Sequence, residues 1–215
     1  MPRGLTPQQA WNELIGGNKR FVTDQMIHPS QGLATRSELS TGQNPYAVVF
    51  GCSDSRVAAE LIFDQGLGDL FVVRTAGHVL DTTVIGSIEY GVNLLGASLI
   101  VVLGHDSCGA VAAATKALNT GEVPDGFVRA VVDRVIPSIV SISSPDHRNG
   151  DSPEYSAAEL GHEHVRHTVQ MINSYSISLA NAVKEGRCAI VGLEYALRDG
   201  RVRLTEAIGL DVTEV

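Results

Sequence analysis

Two short stretches hold the side chains with the most chemical promise. Ala47-Val48-Val49-Phe50-Gly51 runs into Cys52-Ser53-Asp54-Ser55-Arg56, and Leu99-Ile100-Val101-Val102-Leu103 runs into Gly104-His105-Asp106-Ser107-Cys108-Gly109. Cys52, His105 and Cys108 offer two thiolates and an imidazole, the ligand types that zinc prefers. A structural zinc site closes its tetrahedron with four protein ligands, whereas three leave a position for water, which the metal turns into a nucleophile. The count therefore points to catalysis. Asp54 and Arg56 follow Cys52 by two and four residues, close enough for the carboxylate to accept a hydrogen bond at the open position while the guanidinium keeps it ionised and oriented.

These groups need elements that carry them to one place. Each motif follows an apolar run rich in β-branched residues, the pattern of a strand buried on both faces. In an open parallel sheet, functional groups collect beyond the carboxyl ends of the strands, so distant motifs can converge there. The pattern predicts strands over 46–51, 69–74, 98–103 and 187–194, with an edge strand over 201–204 after a turn at Asp199-Gly200. Helices are expected over 57–63, 82–95, 109–118, 124–142 and 156–184, the last two separated by a loop with Pro145, Gly150 and Pro153. Thr6 and Pro7 open a further helix, as N-cap and first helical residue, carrying Ala10, Leu14 and Phe21 on one stripe and weakened by Gly16-Gly17. Residues 22–45, with Gly32, Gly42 and Pro45, read as an arm or broken helix. The expected class is α/β: a mostly parallel sheet of four to five strands flanked by helices, in a single domain over 1–215 with an N-terminal helical arm over 1–45. Cys108 at the start of its helix is expected to have its pKa lowered by the helix dipole.

Cys-Ser-Asp-Ser-Arg followed by Gly-His-Asp-Ser-Cys-Gly resembles the signature of the β-class carbonic anhydrases, and the resemblance runs from about residue 8 to the end. It implies one zinc ion per chain on Cys52, His105 and Cys108, hydration of carbon dioxide to bicarbonate by zinc-bound hydroxide, and Asp54 paired with Arg56 beside the metal. It further implies a substrate pocket with Gln43, Phe71, Tyr90 and Gly109, Phe71 and Tyr90 lying near a subunit boundary. Assembly as a homodimer or homotetramer is implied too, the N-terminal arm packing on a partner subunit. Some members carry a switch in which Asp54 swings onto zinc as a fourth ligand at lower pH. Those members commonly have Trp three residues before the first cysteine, where this chain has Val49, and the departure counts against a bicarbonate-regulated form. Two thiolates cancel the charge of Zn²⁺, so activity is expected to favour alkaline pH.

Composition narrows the classes. With 24 acidic against 16 basic residues the net charge is −8, the wrong sign for nucleic acid or an anionic membrane surface. No apolar run approaches the roughly 20 residues that cross a bilayer, and polar Gln8-Gln9 follow the first residues where a secretory signal would be apolar. A cytoplasmic protein acting on a small molecule is expected. Three cysteines are too few and too odd for a disulfide scaffold.

Other suggestive residues read as structure. Cys188 lies in an apolar strand pattern and is expected in the core. His162-Glu163-His164-Val165-Arg166-His167 lacks the i, i+4 histidine pair of a zinc-protease helix and reads as a solvated helix face. Gly66-Leu67-Gly68 lacks the third glycine of a dinucleotide loop, Phe71 standing in its place. His78 has the right intrinsic pKa for a proton shuttle, but reads as a loop histidine. The competing functions are another zinc lyase or hydrolase on this scaffold, such as one acting on carbon disulfide; a metal-free cysteine nucleophile activated by His105; and a non-catalytic zinc-binding protein.

Overall fold

The computed structural model describes residues 4–141 and 154–212. Its centre is a five-stranded sheet in the order β2-β1-β3-β4-β5, formed by β1 (Ala47–Cys52), β2 (Leu70–Thr75), β3 (Leu99–His105), β4 (Ala189–Tyr195) and β5 (Val202–Ile208). The first four strands are parallel and β5 pairs antiparallel with β4. The expected α/β class, strand number and flanking helices are all present.

Period-two alternation sends the strand side chains into two apolar layers. Val49, Leu99, Val101, Val191 and Leu193 meet helix α1 (Pro7–Val22), through Ala10, Trp11 and Leu14. Val48, Phe50, Ile100, Val102 and Ile190 meet Val84 and Ile88 of α4 (Thr82–Glu89), Val165, Val169 and Ile172 of α7 (Ala157–Tyr175), and Leu179 of α8 (Ile177–Lys184). Each fully buried Val, Ile or Leu contributes about 1.5–3 kcal/mol, so this double-sided burial fixes β1 and β3 as the rigid centre. The remaining helices are α2 (Leu33–Leu39), α3 (Ala59–Ile62), α5 (Gly109–Thr120) and α6 (Val128–Val135).

Helix α1 starts as expected, with a reciprocal Thr6–Gln9 capping box and Pro7 in the first turn. Its glycines do not break it. A Cβ at Gly17 would lie 1.7 Å from the Phe63 carbonyl oxygen, so glycine is what lets the helix approach α3. Next to it, buried Asn18 donates to the carbonyls of Ile62 (3.1 Å) and Gly200 (2.8 Å). Helix α1 is thus built into its own chain's core.

Several boundaries differ from the periodicity. The helix expected over 82–95 is α4 followed by a π turn at Tyr90–Leu94. The one expected over 124–142 is α6 followed by a 3₁₀ segment, Ile136–Ser141. The stretch 156–184 breaks at Ser176, whose backbone turns extended and whose hydroxyl accepts from Leu179 N–H to cap α8. The edge strand runs to Ile208, beyond the expected end at Leu204. Pro145, Gly150 and Pro153 lie outside the described residues. No helix among the described residues is long and apolar enough to cross a membrane.

Candidate metal centre

Cys52 ends β1 and His105 ends β3, and because these strands are adjacent and parallel in register Gly51↔Leu103, both side chains emerge at the same end of the sheet. Cys108 follows three residues later as the N-cap of α5. The three donor atoms lie within 4.8 Å of one another, and all three residues are buried. Val111 and Ala114 of α5, Val132 and Val135 of α6, and Leu160 of α7 pack around the two cysteines as a separate apolar cluster.

His105 is set up as a ligand. Its Nδ1 lies 2.7 Å from the Asp106 carbonyl oxygen, which can only accept, so Nδ1 carries the proton. That leaves Nε2 with a free lone pair, buried and without a hydrogen-bond partner among the described residues. An orphaned buried nitrogen beside two thiols is costly without a ligand, and the soft N and S donor set is the one zinc takes.

The two sulfurs behave differently. Cys52 is held well below its ordinary range, first because the Cys108 thiol donates to it, with help from His105 and the N–H groups of Asp54 and Gly77 against the opposing effect of burial. The Gly77 N–H lies 3.3 Å from Cys52 Sγ. Cys108 is pushed up, first by sharing its proton with Cys52 and then by burial. The N–H groups of Val111 and Ala110 at the start of α5 pull it downward, in the direction expected of a helix start, but within the thiol pair the shared proton and burial outweigh them. For His105, burial pushes the pKa down, but the neighbouring Cys52 sulfur and Asp54 carboxylate outweigh this, so both draw positive charge, a proton or a metal ion, to the open Nε2.

Beyond the donors, Asp54 and Arg56 form a two-pronged pair, Nε to Oδ1 at 3.0 Å and Nη2 to Oδ2 at 2.7 Å. The Arg56 N–H also reaches Oδ1 at 2.9 Å, and its guanidinium reaches the Ser107 carbonyl at 3.3 Å. These bonds hold the Asp54 carboxyl well below the usual carboxylate range, the guanidinium contributing most. Arg74, which sequence reasoning passed over, braces the turn from β2 by donating Nε to the Cys52 carbonyl (2.9 Å) and Nη2 to the Asp54 carbonyl (2.6 Å). An arginine at the end of an otherwise apolar strand was its signal.

The other expected site residues are dispersed. Gly109 is adjacent to Cys108 at the start of α5. Phe71 stacks on Tyr90 with ring centroids 6.0 Å apart, but it pairs in register with Val48 while Thr75 pairs with Cys52. Four residue steps, roughly 13 Å, separate Phe71 from the metal-binding end. Gln43 precedes β1 at the opposite end of the sheet, in a separate cleft of about 510 Å³. In one chain neither Phe71 nor Gln43 reaches the donors, and Tyr90 is seated against Phe71.

Among the histidines the 162–167 reading needs correction, while His78 lies in the turn after β2 in keeping with its reading as a loop histidine. His78 is 1% exposed, and burial drives its pKa well down, so it is cut off from bulk solvent and cannot act as an exposed shuttle. The 162–167 stretch is not wholly a solvated face: His162 pairs with Glu194 at 2.9 Å, but His164 is fully buried against Gly77. Cys188 lies in the core as expected, its thiol pushed up to about 12 by burial.

A family model described as carbonic anhydrase matches residues 47–202. The chain is 54% identical over 209 residues to a carbonic anhydrase of Mycolicibacterium smegmatis, covering 97% of this chain and 98% of that one. It is 52% identical over 203 residues to carbonic anhydrase 2 of Mycobacterium tuberculosis, covering 94% and 95%. Among solved structures, a tetrameric β-carbonic anhydrase of Sordaria macrospora shares the fold at a TM-score of 0.64 and 22% identity, covering 79% of this chain and 84% of that one.

Proposed function

The chain belongs to the β-class carbonic anhydrase family, and from that membership we propose that it hydrates carbon dioxide reversibly to bicarbonate and a proton, at a zinc site formed by Cys52, His105 and Cys108. The observation that carries the zinc assignment is the buried, unpartnered Nε2 of His105 facing two thiols. Zinc bound there supplies the Lewis acidity that makes water a nucleophile near neutral pH.

The chain's own residues do the positioning. Asp54 is kept ionised by Arg56, so it accepts a hydrogen bond from the reacting water and orients the lone pair that attacks carbon dioxide. Arg74 fixes the backbone that carries both Cys52 and Asp54, so the ligand and the orienting carboxylate move as one unit. The Asp106 carbonyl fixes the His105 tautomer.

Gln43, Phe71 and Tyr90 serve as pocket residues for a neighbouring subunit and not for their own chain. Support comes from their distance from the local donors, the position of β2 at the sheet edge and the 45% exposure of Tyr90. The assembly is a homodimer or a homotetramer. Cys188, a thiol outside the donor set, is unpaired, which suits a reducing compartment and supports a cytoplasmic site of action.

The test is stopped-flow hydration of carbon dioxide by protein of measured zinc content, from mildly acidic to alkaline pH. Fast hydration that rises with pH and disappears on zinc removal is expected. One zinc per chain with no hydration at any pH would overturn the reading.

A further inference from the structure

Behind Cys52 lies a buried polar chain that the reaction itself does not use. Residues Ala76–His78 form a tight 3₁₀ turn, and both Gly77 (φ 64°) and His78 (φ 43°) are left-handed. A left-handed residue other than glycine costs roughly 1–2 kcal/mol, so surrounding contacts must hold this turn. One is the Gly77 N–H on Cys52 Sγ, and another is the Thr75 hydroxyl donating to the Val79 carbonyl at 3.0 Å. The third comes from α7, 87 residues away: His164 Nε2 lies 2.9 Å from the Gly77 carbonyl oxygen.

That bond fixes the state of His164. A carbonyl only accepts, so Nε2 carries the proton. Burial keeps the ring neutral, with its pKa down at about 4. Nδ1 is then an acceptor, and the partner 2.9 Å away is the buried hydroxyl of Ser138, which donates. The order of donation is Ser138 hydroxyl to His164 to the Gly77 carbonyl, and Gly77 in turn presents its own N–H to the Cys52 sulfur. The turn packs too close to α5 for any side chain at this position, because a Cβ on Gly77 would lie 2.6 Å from Ala110 Cβ.

We infer that His164, locked by Ser138, is a positioning residue that holds the Gly77 N–H against Cys52 and so sets how much charge the Cys52 sulfur donates to the metal. A hydrogen bond to a ligating thiolate withdraws electron density and orients it, and losing such outer partners typically costs about 10–100-fold in metal affinity or activity. Aliphatic substitution removes the donor, whereas Gln at 164 can place an amide nitrogen near the position of Nε2. The inference rests on Cys52, His105 and Cys108 being the zinc ligands.

The experiment uses the full-length protein loaded with cobalt(II), whose thiolate-to-metal charge-transfer absorption reports on the sulfurs directly, together with zinc retention against a chelator. His164→Leu is expected to shift that absorption and lose zinc about 10-fold more readily, Ser138→Ala to do the same more weakly, and His164→Gln to stay near the parent. Parent-like absorption and zinc retention in folded His164→Leu would overturn the inference. Should His164→Leu fail to fold, the other two decide: a shifted Ser138→Ala with a parent-like His164→Gln supports it, and any other pattern overturns it. Parent protein that takes up no cobalt or zinc would instead sink the metal assignment.

Discussion

Asp54 Oδ2 stands 3.9 Å from His105 Nε2, at the edge of the donor set, while the same oxygen is held at 2.7 Å by Arg56. The carboxylate is therefore held by the guanidinium while still bordering the histidine donor. For Asp54→Ala, hydration is expected to fall by about 10–100-fold with zinc content still near one per chain, because the lost group orients water and does not ligate in this arrangement. Stopped-flow rates with metal analysis check this, and undiminished activity would remove Asp54 from the mechanism.

Arg74 separates support from chemistry. Arg74→Met keeps an unbranched apolar stem out to about the position of Nε and deletes both donors to the Cys52 and Asp54 carbonyls. Charged hydrogen bonds of this kind are worth about 1.5–3 kcal/mol each, less where water reaches them, so a loss of about 2 kcal/mol in urea unfolding is expected. Zinc retention should weaken alongside.

Asp64 gives a prediction in pH. Burial pushes its carboxyl up, but the Arg20 guanidinium (2.5 Å) and the N–H groups of Ile27 (3.1 Å) and His28 (3.0 Å) outweigh this and leave it below its ordinary range. A carboxyl depressed in the folded state adds stability above its unfolded pKa of about 3.9, and that stability drains away as pH falls further. Asp64→Asn tolerates the same left-handed backbone (φ 45°) while losing the charge. Thermal unfolding from pH 7 down to pH 2 should show the variant less stable at neutrality and closing on the parent at the acid end.

Adjacent glycines in α1 should respond oppositely to alanine. Gly17→Ala forces a methyl into the Phe63 carbonyl and is expected to cost about 3 kcal/mol. At Gly16 the nearest atom to a new Cβ is Arg20 Nη1 at 3.7 Å, so Gly16→Ala should be neutral or stabilising by up to about 1 kcal/mol. Denaturant midpoints for the two variants decide it.

What could be read from the residues was whatever depended on local order. Apolar runs ending in Cys52 and His105 were legible because burial on both faces leaves no polar position to blur a strand. The donors themselves were legible because a ligand's chemistry is written in its type. Helix breaks were not: the π turn at Tyr90–Leu94 keeps an apolar periodicity close to that of an α-helix, and Ser176 breaks α7 from α8 with a residue that also occurs within helices. His164 was misread because its role depends on Gly77, distant in sequence and brought close only when α7 packs over the sheet. Gln43, Phe71 and Tyr90, proposed above as pocket residues, belong to the sheet edge and the far end of β1, where no pattern within a single chain shows what they face.

Trp11 is the only tryptophan, and it is 4% exposed where α1 meets the core. Its fluorescence is therefore a native gauge of one event, the seating of α1, at the opposite side of the sheet from the α7 contacts that support Cys52. Recorded beside cobalt absorption on the same sample, it would time the release of the helix against the release of the metal without any attached dye.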